Sequence, residues 1–397
     1  MPPDRQNPAT QQPEARRFAR RLALVYGAVF GLGGISLPYF PVWLKAVGVD
    51  VGWIGIITAV PALTRFTVLP FVTGFAERRN ALREGIVLLA FLTSLGFLAI
   101  GQLREPLLIL AVFAVTACVW TPIIPMVDGY ALKGVARHGI DYGPVRLWGS
   151  AAFIVGSLAC GVMIDFVTAS FVIWVIAAIA LIEALTSLGL QRLDRDARPI
   201  AGASRASALL RQPGFLAIIF TSALVQGSHA VYYAFASIAW QNAGLGGLTV
   251  SALWSIGVVA EIIVFAVSPR FKWSPLAMVA FAAAIAALRW AITAQQPPLP
   301  LLAVVQTLHG LSFGLTQVGI VGLFTRNVPG HVLASAQGYL VAATGLVMSS
   351  ATMGAGLLYA RYGEGAYYAM SAMALGGCVL IVLARKWLVT TDAAADR

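Results

Sequence analysis

The sequence predicts an all-α membrane protein with twelve transmembrane helices in two sets of six, and three observations carry that expectation. First, 59% of the 397 residues are apolar and only 11% are charged, where an average soluble domain has about 25% charged residues. So few charges could not cover the surface of a soluble enzyme, and a disordered chain is poor in apolar residues, so both classes are excluded. Second, apolar segments recur along the chain, each near the roughly 20 residues a helix needs to cross the hydrocarbon core. Third, the basic residues lie almost wholly in alternate connections between those segments, the bias that orients membrane helices.

Residues 1–17 are polar and rich in Pro and Gln, and read as a disordered cytoplasmic tail. Arg16, Arg17, Arg20 and Arg21 faintly resemble a twin-arginine export signal. No small-residue cleavage site follows the first apolar run, so these arginines are read as holding the N-terminus inside. The apolar segments then cover 19–41, 52–75, 85–102, 106–132, 144–164 and 170–190, giving a first six-helix bundle over 18–190. A polar cytoplasmic linker, 191–213, follows. The second bundle, 214–390, holds segments 214–241, 249–268, 275–294, 299–324, 332–358 and 365–388, and 391–397 is a cytoplasmic tail.

The charges give an orientation. With the N-terminus inside, 21 of the 27 Lys and Arg fall on the inner side and three, Lys45, Arg104 and Arg361, on the outer side. Both termini are therefore expected in the cytoplasm, in a multi-pass protein of the cell's inner membrane. The net charge of +11 would suggest nucleic acid in a soluble protein. Here its placement is an insertion signal, and no nucleic-acid partner is expected. Cys118, Cys160 and Cys378 all lie inside apolar segments, so no disulfide framework is expected. The halves also echo each other. At an offset of 196 residues Ile54-Gly55 falls on Val250-Ser251, and Arg65 falls on Glu261, both charges mid-segment. Six-plus-six segments with such an echo fit two parallel repeats.

A charge at the centre of a span costs about 2.5–3.5 kcal/mol on insertion scales, so each such charge needs a cavity, a partner or an interfacial depth. The candidates are Arg65, Asp128, Arg146, Glu183, Glu261 and Arg289, with His229 and His309 as polar companions. Asp128 and Arg146 are 18 residues apart with the polar turn 133–142 between them. They therefore sit at similar depth on adjacent antiparallel helices and can pair, as a structural bridge or as a substrate site. Glu261 is the leading proton carrier, because a carboxyl in an apolar span favours its neutral form; the competing reading is a static bridge to Arg289 or Arg65. Glu183 lies near the inner end of its segment and reads as snorkelling. Trp43 and Trp240 read as interfacial belt residues. Tyr232 and Tyr233 lie deeper, beside His229, where they could face an aromatic ligand. The histidines have no neighbours at metal-ligand spacing, and no metal is expected.

Three stretches carry a family resemblance: Tyr142-Gly143-Pro144-Val145-Arg146-Leu147-Trp148-Gly149-Ser150, Gln226-Gly227-Ser228-His229-Ala230-Val231-Tyr232-Tyr233, and Leu253-Trp254-Ser255-Ile256-Gly257-Val258-Val259-Ala260-Glu261. They resemble the 3-phenylpropionate permease family of the major facilitator superfamily, which is similar to the proton-coupled lactose permease, and the likeness runs over all twelve segments. The resemblance implies the major facilitator fold and a proton symporter for an aromatic carboxylic acid. It implies substrate contacts at Asp128 and Arg146, which match the acid–arginine pair of lactose permease, and coupling roles for Glu261, Arg289 and His309. Departures stand at Gln306, Ser312 and Phe153, where that permease has a lysine, the proton-carrying glutamate and the tryptophan that stacks on galactose, and the seventh segment has no acid. A galactoside substrate is therefore not expected. The superfamily's loop motif survives only in degenerate form, as Gly74-Phe75-Ala76-Glu77-Arg78-Arg79, and the glycine-proline motif of drug antiporters is absent from the fifth segment, which argues against efflux.

The expected function is uptake of a small organic acid, probed by Asp128, Arg146, Phe153, His229, Tyr232, Tyr233 and Arg65, with Glu261, His309 and Arg289 coupling it to the proton gradient. No cofactor is expected. No nucleotide-binding loop is present, so ATP is not the evident driver. A sugar or nucleoside symporter is the nearest alternative, and a membrane sensor that binds without transporting is one of another class. An intramembrane enzyme would need a nucleophile beside His229 or His309, and no such motif accompanies them. The chain is expected to act as a monomer, its partners being its small-molecule substrate, the proton and the lipid bilayer.

Overall fold

The computed structural model describes residues 8–193 and 206–388. Every regular element among them is helical. We number the spans α1 to α12. In the first half α1 is Pro8–Ala46; α2 is Val51–Thr67, continued by Leu69–Arg78; α3 is Leu82–Gly101; α4 is Pro106–Trp120 and Ile123–His138; α5 is Tyr142–Phe166; α6 is Val172–Ser187. In the second half α7 is Pro213–Gly227 and Ala230–Asn242; α8 is Gly247–Val267; α9 is Pro275–Thr293; α10 is Leu299–His309, a π-helical turn Gly310–Gly314 and Leu315–Asn327; α11 is Leu333–Tyr362; α12 is Tyr367–Leu383.

Ten helical stretches among the described residues are long and apolar enough to cross a membrane, and the two parts of α2, bent by 44°, make an eleventh. One of the ten, Ser335–Leu383, has 49 residues. At 1.5 Å per residue it would run about 70 Å, more than twice the hydrocarbon thickness. It turns back at Gly363, whose φ of 54° favours glycine, and so supplies α11 and α12. The twelve spans follow.

α1 begins at Pro8, inside the stretch read from sequence as a disordered tail. The run from Glu14 to Arg21 is Ala- and Arg-rich, both good helix formers, and it continues the apolar span without a break. Residues 1–7, most of the linker (194–205) and the tail 391–397 lie outside the described residues.

The helices expose apolar side chains where a soluble protein would be polar. Leu88, Leu92 and Leu95 of α3 recur at helical spacing and are 59%, 40% and 60% exposed, as lipid-facing positions are.

The chain packs as two compact units. Unit 1 is residues 1–47 with 68–199; unit 2 is 48–67 with 200–397. The core of unit 1 joins Leu22, Val25 and Val29 of α1 to Ile86 and Ala90 of α3 and Met126 and Tyr130 of α4. Its α1 and α5 approach closely, because a Cβ on Gly34 would fall on the Phe153 backbone carbonyl. The core of unit 2 joins Phe215 and Ile218 of α7 to Val279 of α9, Leu323 and Phe324 of α10 and Ile381 of α12. By packing, Val51–Thr67 belongs to unit 2, although a division by chain order places it in 18–190. A Cβ at Gly55 would stand 2.7 Å from the Gly356 Cα, so α2 and α11 touch backbone to backbone.

Candidate functional site

Two polar clusters lie within the spans, one in each unit. In unit 1, Thr121 and Pro122 interrupt α4, and it resumes at Ile123 to carry Asp128. Pro122 and Pro125 lack an N–H and so weaken the helix ladder just before that acid. Arg146 sits in the second turn of α5. Tyr26 of α1 donates to Asp128 Oδ1 at 2.6 Å, and Tyr142 of α5 donates to the same oxygen at 2.9 Å. Arg146 Nε stands 3.7 Å from that oxygen too. This is an ion pair but too long for a hydrogen bond. The guanidinium lies 3.8 Å from the centroid of Phe30 and 5.4 Å from that of Tyr26, in range for a cation–π contact. The Arg146 and Asp128 side chains are 29% and 35% exposed, so the pair is open to a ligand rather than sealed.

In unit 2 the second cluster forms around Arg289 of α9, which is fully buried. Its Nη1 stands 2.9 Å from His309 Nδ1 and 3.5 Å from the Ser312 Oγ, and its Nη2 donates to Gln306 Oε1 at 3.0 Å, all on α10. Its charge rests on the rings of Tyr232 and Trp290, at 4.8 and 4.3 Å. The far nitrogen of His309, Nε2, is 3.9 Å from Glu261 Oε2 of α8. α7 breaks at Ser228 and His229 and presents His229 and Tyr232 to the same cluster. The His229 ring is 5.4 Å from His309 and 4.9 Å from Trp290, and Tyr232 is 4.5 Å from Trp254. Trp290 and Trp254 are anchored in turn, donating to Ser228 and Ser237 at 2.9 Å. The π-helical turn of α10 starts immediately after His309, and such turns recur at functional sites.

The residues singled out from sequence thus fall into two groups. Asp128 and Arg146 meet, as their spacing required. Glu261, His309 and Arg289 meet, and His229 and Tyr232 join them; Tyr233 stacks on His229 at 5.7 Å. Glu261 stands 3.9 Å from His309, and the side-chain contacts of Arg289 run to His309, Ser312 and Gln306. Phe153 is half-buried on α5 with its backbone against Gly34, and the ring that carries Arg146 is Phe30. Arg65 is exposed on α2, and its electrostatic neighbour is Tyr233.

Two expectations are corrected. Glu183 does not snorkel: it is fully buried, and neither carboxyl oxygen has a hydrogen bond among the described residues. Its side chain turns inward between helices rather than along α6 to the surface. Trp43 and Trp240 are not lipid-facing belt residues, being 0% and 6% exposed. Trp43 stacks on Phe40 at 5.6 Å inside unit 1, and Trp240 packs on Tyr232 at 6.1 Å inside unit 2.

Sequence reasoning passed over Tyr26, Phe30, Trp290 and the capping roles of Tyr142 and Gln306. Tyr26 and Phe30 are four apart on α1, so they share a helix face, but that face could be recognised only with the partner helix known.

Residues 19–370 match the model of the MFS_1 like family. The chain is 33% identical over 372 residues to the probable 3-phenylpropionic acid transporter of Escherichia coli (strain K12), covering 90% of this chain and 95% of that one. It is 23% identical over 372 residues to the maltose permease of Geobacillus stearothermophilus, covering 91% and 94%. Among solved structures, a variant of the nucleoside transporter NupG matches with a TM-score of 0.80 at 15% identity, covering 94% of this chain and 99% of that one. The D-xylose–proton symporter matches with a TM-score of 0.68 at 13% identity, covering 92% and 97%.

Proposed function

The chain belongs to the MFS_1 like family and is a multi-pass membrane transporter of the major facilitator kind, and from that premise we propose that it imports a small aromatic carboxylic acid, 3-phenylpropionate-like, together with a proton by alternating access. The observation that carries this reading is the state of Arg146. Its guanidinium is held to Asp128 by one long contact at 3.7 Å and lies on the face of Phe30. The planar fork is therefore not consumed by an internal partner. A fork of N–H donors beside an aromatic face suits a carboxylate that carries a ring. The name of the Escherichia coli relative supports the same substrate class.

A neutral sugar or nucleoside is the rival, favoured by the maltose permease relative and by Asp128, whose Tyr26, Tyr142 and Arg146 contacts all fall on Oδ1. Neutral hydroxyls would use that acid more than the arginine.

The test is uptake of labelled 3-phenylpropionate by proteoliposomes, with and without an imposed pH gradient and with neutral sugars and nucleosides as competitors. Uptake that responds to the gradient and resists neutral competitors is expected. Arg146→Lys replaces the planar fork with a point charge. It is expected to weaken acid binding by about tenfold or more, equivalent to about 1.4 kcal/mol, while the protein still inserts and folds. Near-normal affinity in that variant would leave Arg146 a structural bridge.

Proton coupling is assigned to Glu261. A neutral carboxyl crosses apolar walls at far lower cost than a charged one, so the protonated form is the one that crosses with substrate. Glu261→Gln mimics that form permanently. It is expected to lose pH-driven accumulation and to keep exchange of internal for external substrate, because exchange needs no deprotonation. Accumulation up a pH gradient by this variant would move the carrier to Asp128 or His309.

A further inference from the structure

The contacts of two buried histidines fix where their protons sit. A guanidinium has five N–H donors and no acceptor. Arg289 Nη1 stands 2.9 Å from His309 Nδ1, so Nδ1 presents a lone pair and the ring proton is on Nε2. That nitrogen faces Glu261 Oε2 at 3.9 Å. A backbone carbonyl only accepts, and His229 Nδ1 stands 3.0 Å from the Val225 carbonyl oxygen. There the proton is on Nδ1. The two rings, with centroids 5.4 Å apart, therefore hold opposite tautomers.

We infer that His309 is a positioning residue for Glu261, locked by Arg289 as the Nε2–H tautomer, and that it carries no transported proton itself. This rests on the reading of Glu261 as the proton carrier. A second proton on Nδ1 would require the bond from Arg289 to break and would leave two cations facing each other in a site where Arg289 is fully buried. The guanidinium cannot turn aside to make room. Gln306 holds Nη2 at 3.0 Å, Ser312 stands 3.5 Å from Nη1, and the rings of Tyr232 and Trp290 flank the plane. The titratable groups that face His309 are Glu261 from α8, Arg289 from α9 and His229 and Tyr232 from α7, with Tyr233 stacked behind on His229.

The proton inventory follows from this geometry. When Glu261 is ionised, the Nε2–H of His309 is the donor turned toward it. When Glu261 takes a proton, Nε2 already holds one and cannot receive another, so the carboxyl turns its carbonyl oxygen to the ring. No proton passes between them. Glu261, 24% exposed, gains and loses its proton on its open side, and His309 blocks the other. The π-helical turn supports this placement. Gly310, the next residue, packs directly on the Ala260 carbonyl, which sets the depth of His309 against Glu261.

Two measurements test it. The full chain, labelled with 15N-histidine in nanodiscs, gives a His309 signal identified by its loss in His309→Gln. An unprotonated Nδ1 and a protonated Nε2 are expected between pH 5 and 8, the window in which an ordinary imidazole changes charge. A protonated Nδ1, or an imidazolium in that window, overturns the inference. The second measurement is transport by His309→Gln, whose amide offers an acceptor to Arg289 and a donor to Glu261 but does not titrate. Accumulation is expected to stay within about tenfold of the parent, whereas His309→Leu loses it. Loss of accumulation with exchange retained in His309→Gln would make His309 a carrier and overturn the inference. Normal accumulation by Glu261→Gln would instead overturn the carrier reading, and with it the role given to His309, whatever its tautomer.

Discussion

Asp128 and Glu183 are both carboxyls of unit 1, and their surroundings could hardly differ more. Asp128 takes two phenol hydrogen bonds and an arginine on one oxygen, while Glu183 has neither oxygen bonded among the described residues. Of the first environment the arginine was legible in the sequence, because an 18-residue separation across a short turn fixes the depth of both partners, whereas the two phenols were not. The second was not. α6 is apolar on every side, so nothing in its pattern says which face is inward, and a carboxyl near the helix end looks the same whether it snorkels or is buried. A buried carboxyl without a partner costs about 1–3 kcal/mol on mutational scales. Glu183→Leu is therefore expected to leave stability unchanged or to raise it by up to that amount, read as a higher midpoint of thermal unfolding in detergent. A clear fall would mean that the carboxyl bonds to something essential to the unit.

At the scale of elements, the helices themselves were readable from apolar length alone, but their interruptions were only partly so. Pro122 marks the break in α4, since a proline removes a ladder donor. α1 instead runs continuously through Pro13, Pro38 and Pro41. The break in α7 at Ser228 and His229 and the π-helical turn in α10 contain no proline. They arise from packing: Trp290 bonds Ser228, and Gly310 meets the Ala260 carbonyl. These two features place His229 and His309 in one cluster, so the unit 2 site was legible as a set of residues and not as a geometry. The α1–α5 seam depends on backbone approach in the same way. Gly34→Ala would drive its methyl into the Phe153 carbonyl, and backbone cannot yield as a side chain end can. A loss of about 1–3 kcal/mol is expected, measured by thermal or denaturant unfolding in detergent. Gly376→Ala, on α12 with nothing within 4 Å of the new Cβ, is the control and is expected to be neutral or slightly stabilising. Equal losses in both would show that the seam is not the cause.

For the whole molecule, composition and segment count made the fold readable, whereas the packing of α2 was not. Its Gly55 reads as an ordinary small residue until Gly356, 301 positions later, is seen against it. The bend in α2 also bears on orientation. Its two parts meet at 44°, where Pro70 opens the second part, and a bent pair of short helices is either one broken span or a re-entrant loop. The two cases differ in parity. If the pair crosses, Asn80 lies on the side of the N-terminus, and Arg78, Arg79 and Arg83 around it join the 21 basic residues of the inner side. If it re-enters, everything from Asn80 onward changes sides, and the bias collapses, because the later basic loops would then face outward while Arg16, Arg17, Arg20 and Arg21 stayed in. Each basic residue near the inner surface contributes about 1 kcal/mol of attraction to anionic lipid, so the crossing is favoured by many such increments. Side-reporting fusions at Asn80, within the 191–213 linker and within the 295–299 connection are therefore expected to place the first two in the cytoplasm and the third outside. A fusion at Asn80 reporting the outer side would make α2 re-entrant and reduce the count of spans to eleven.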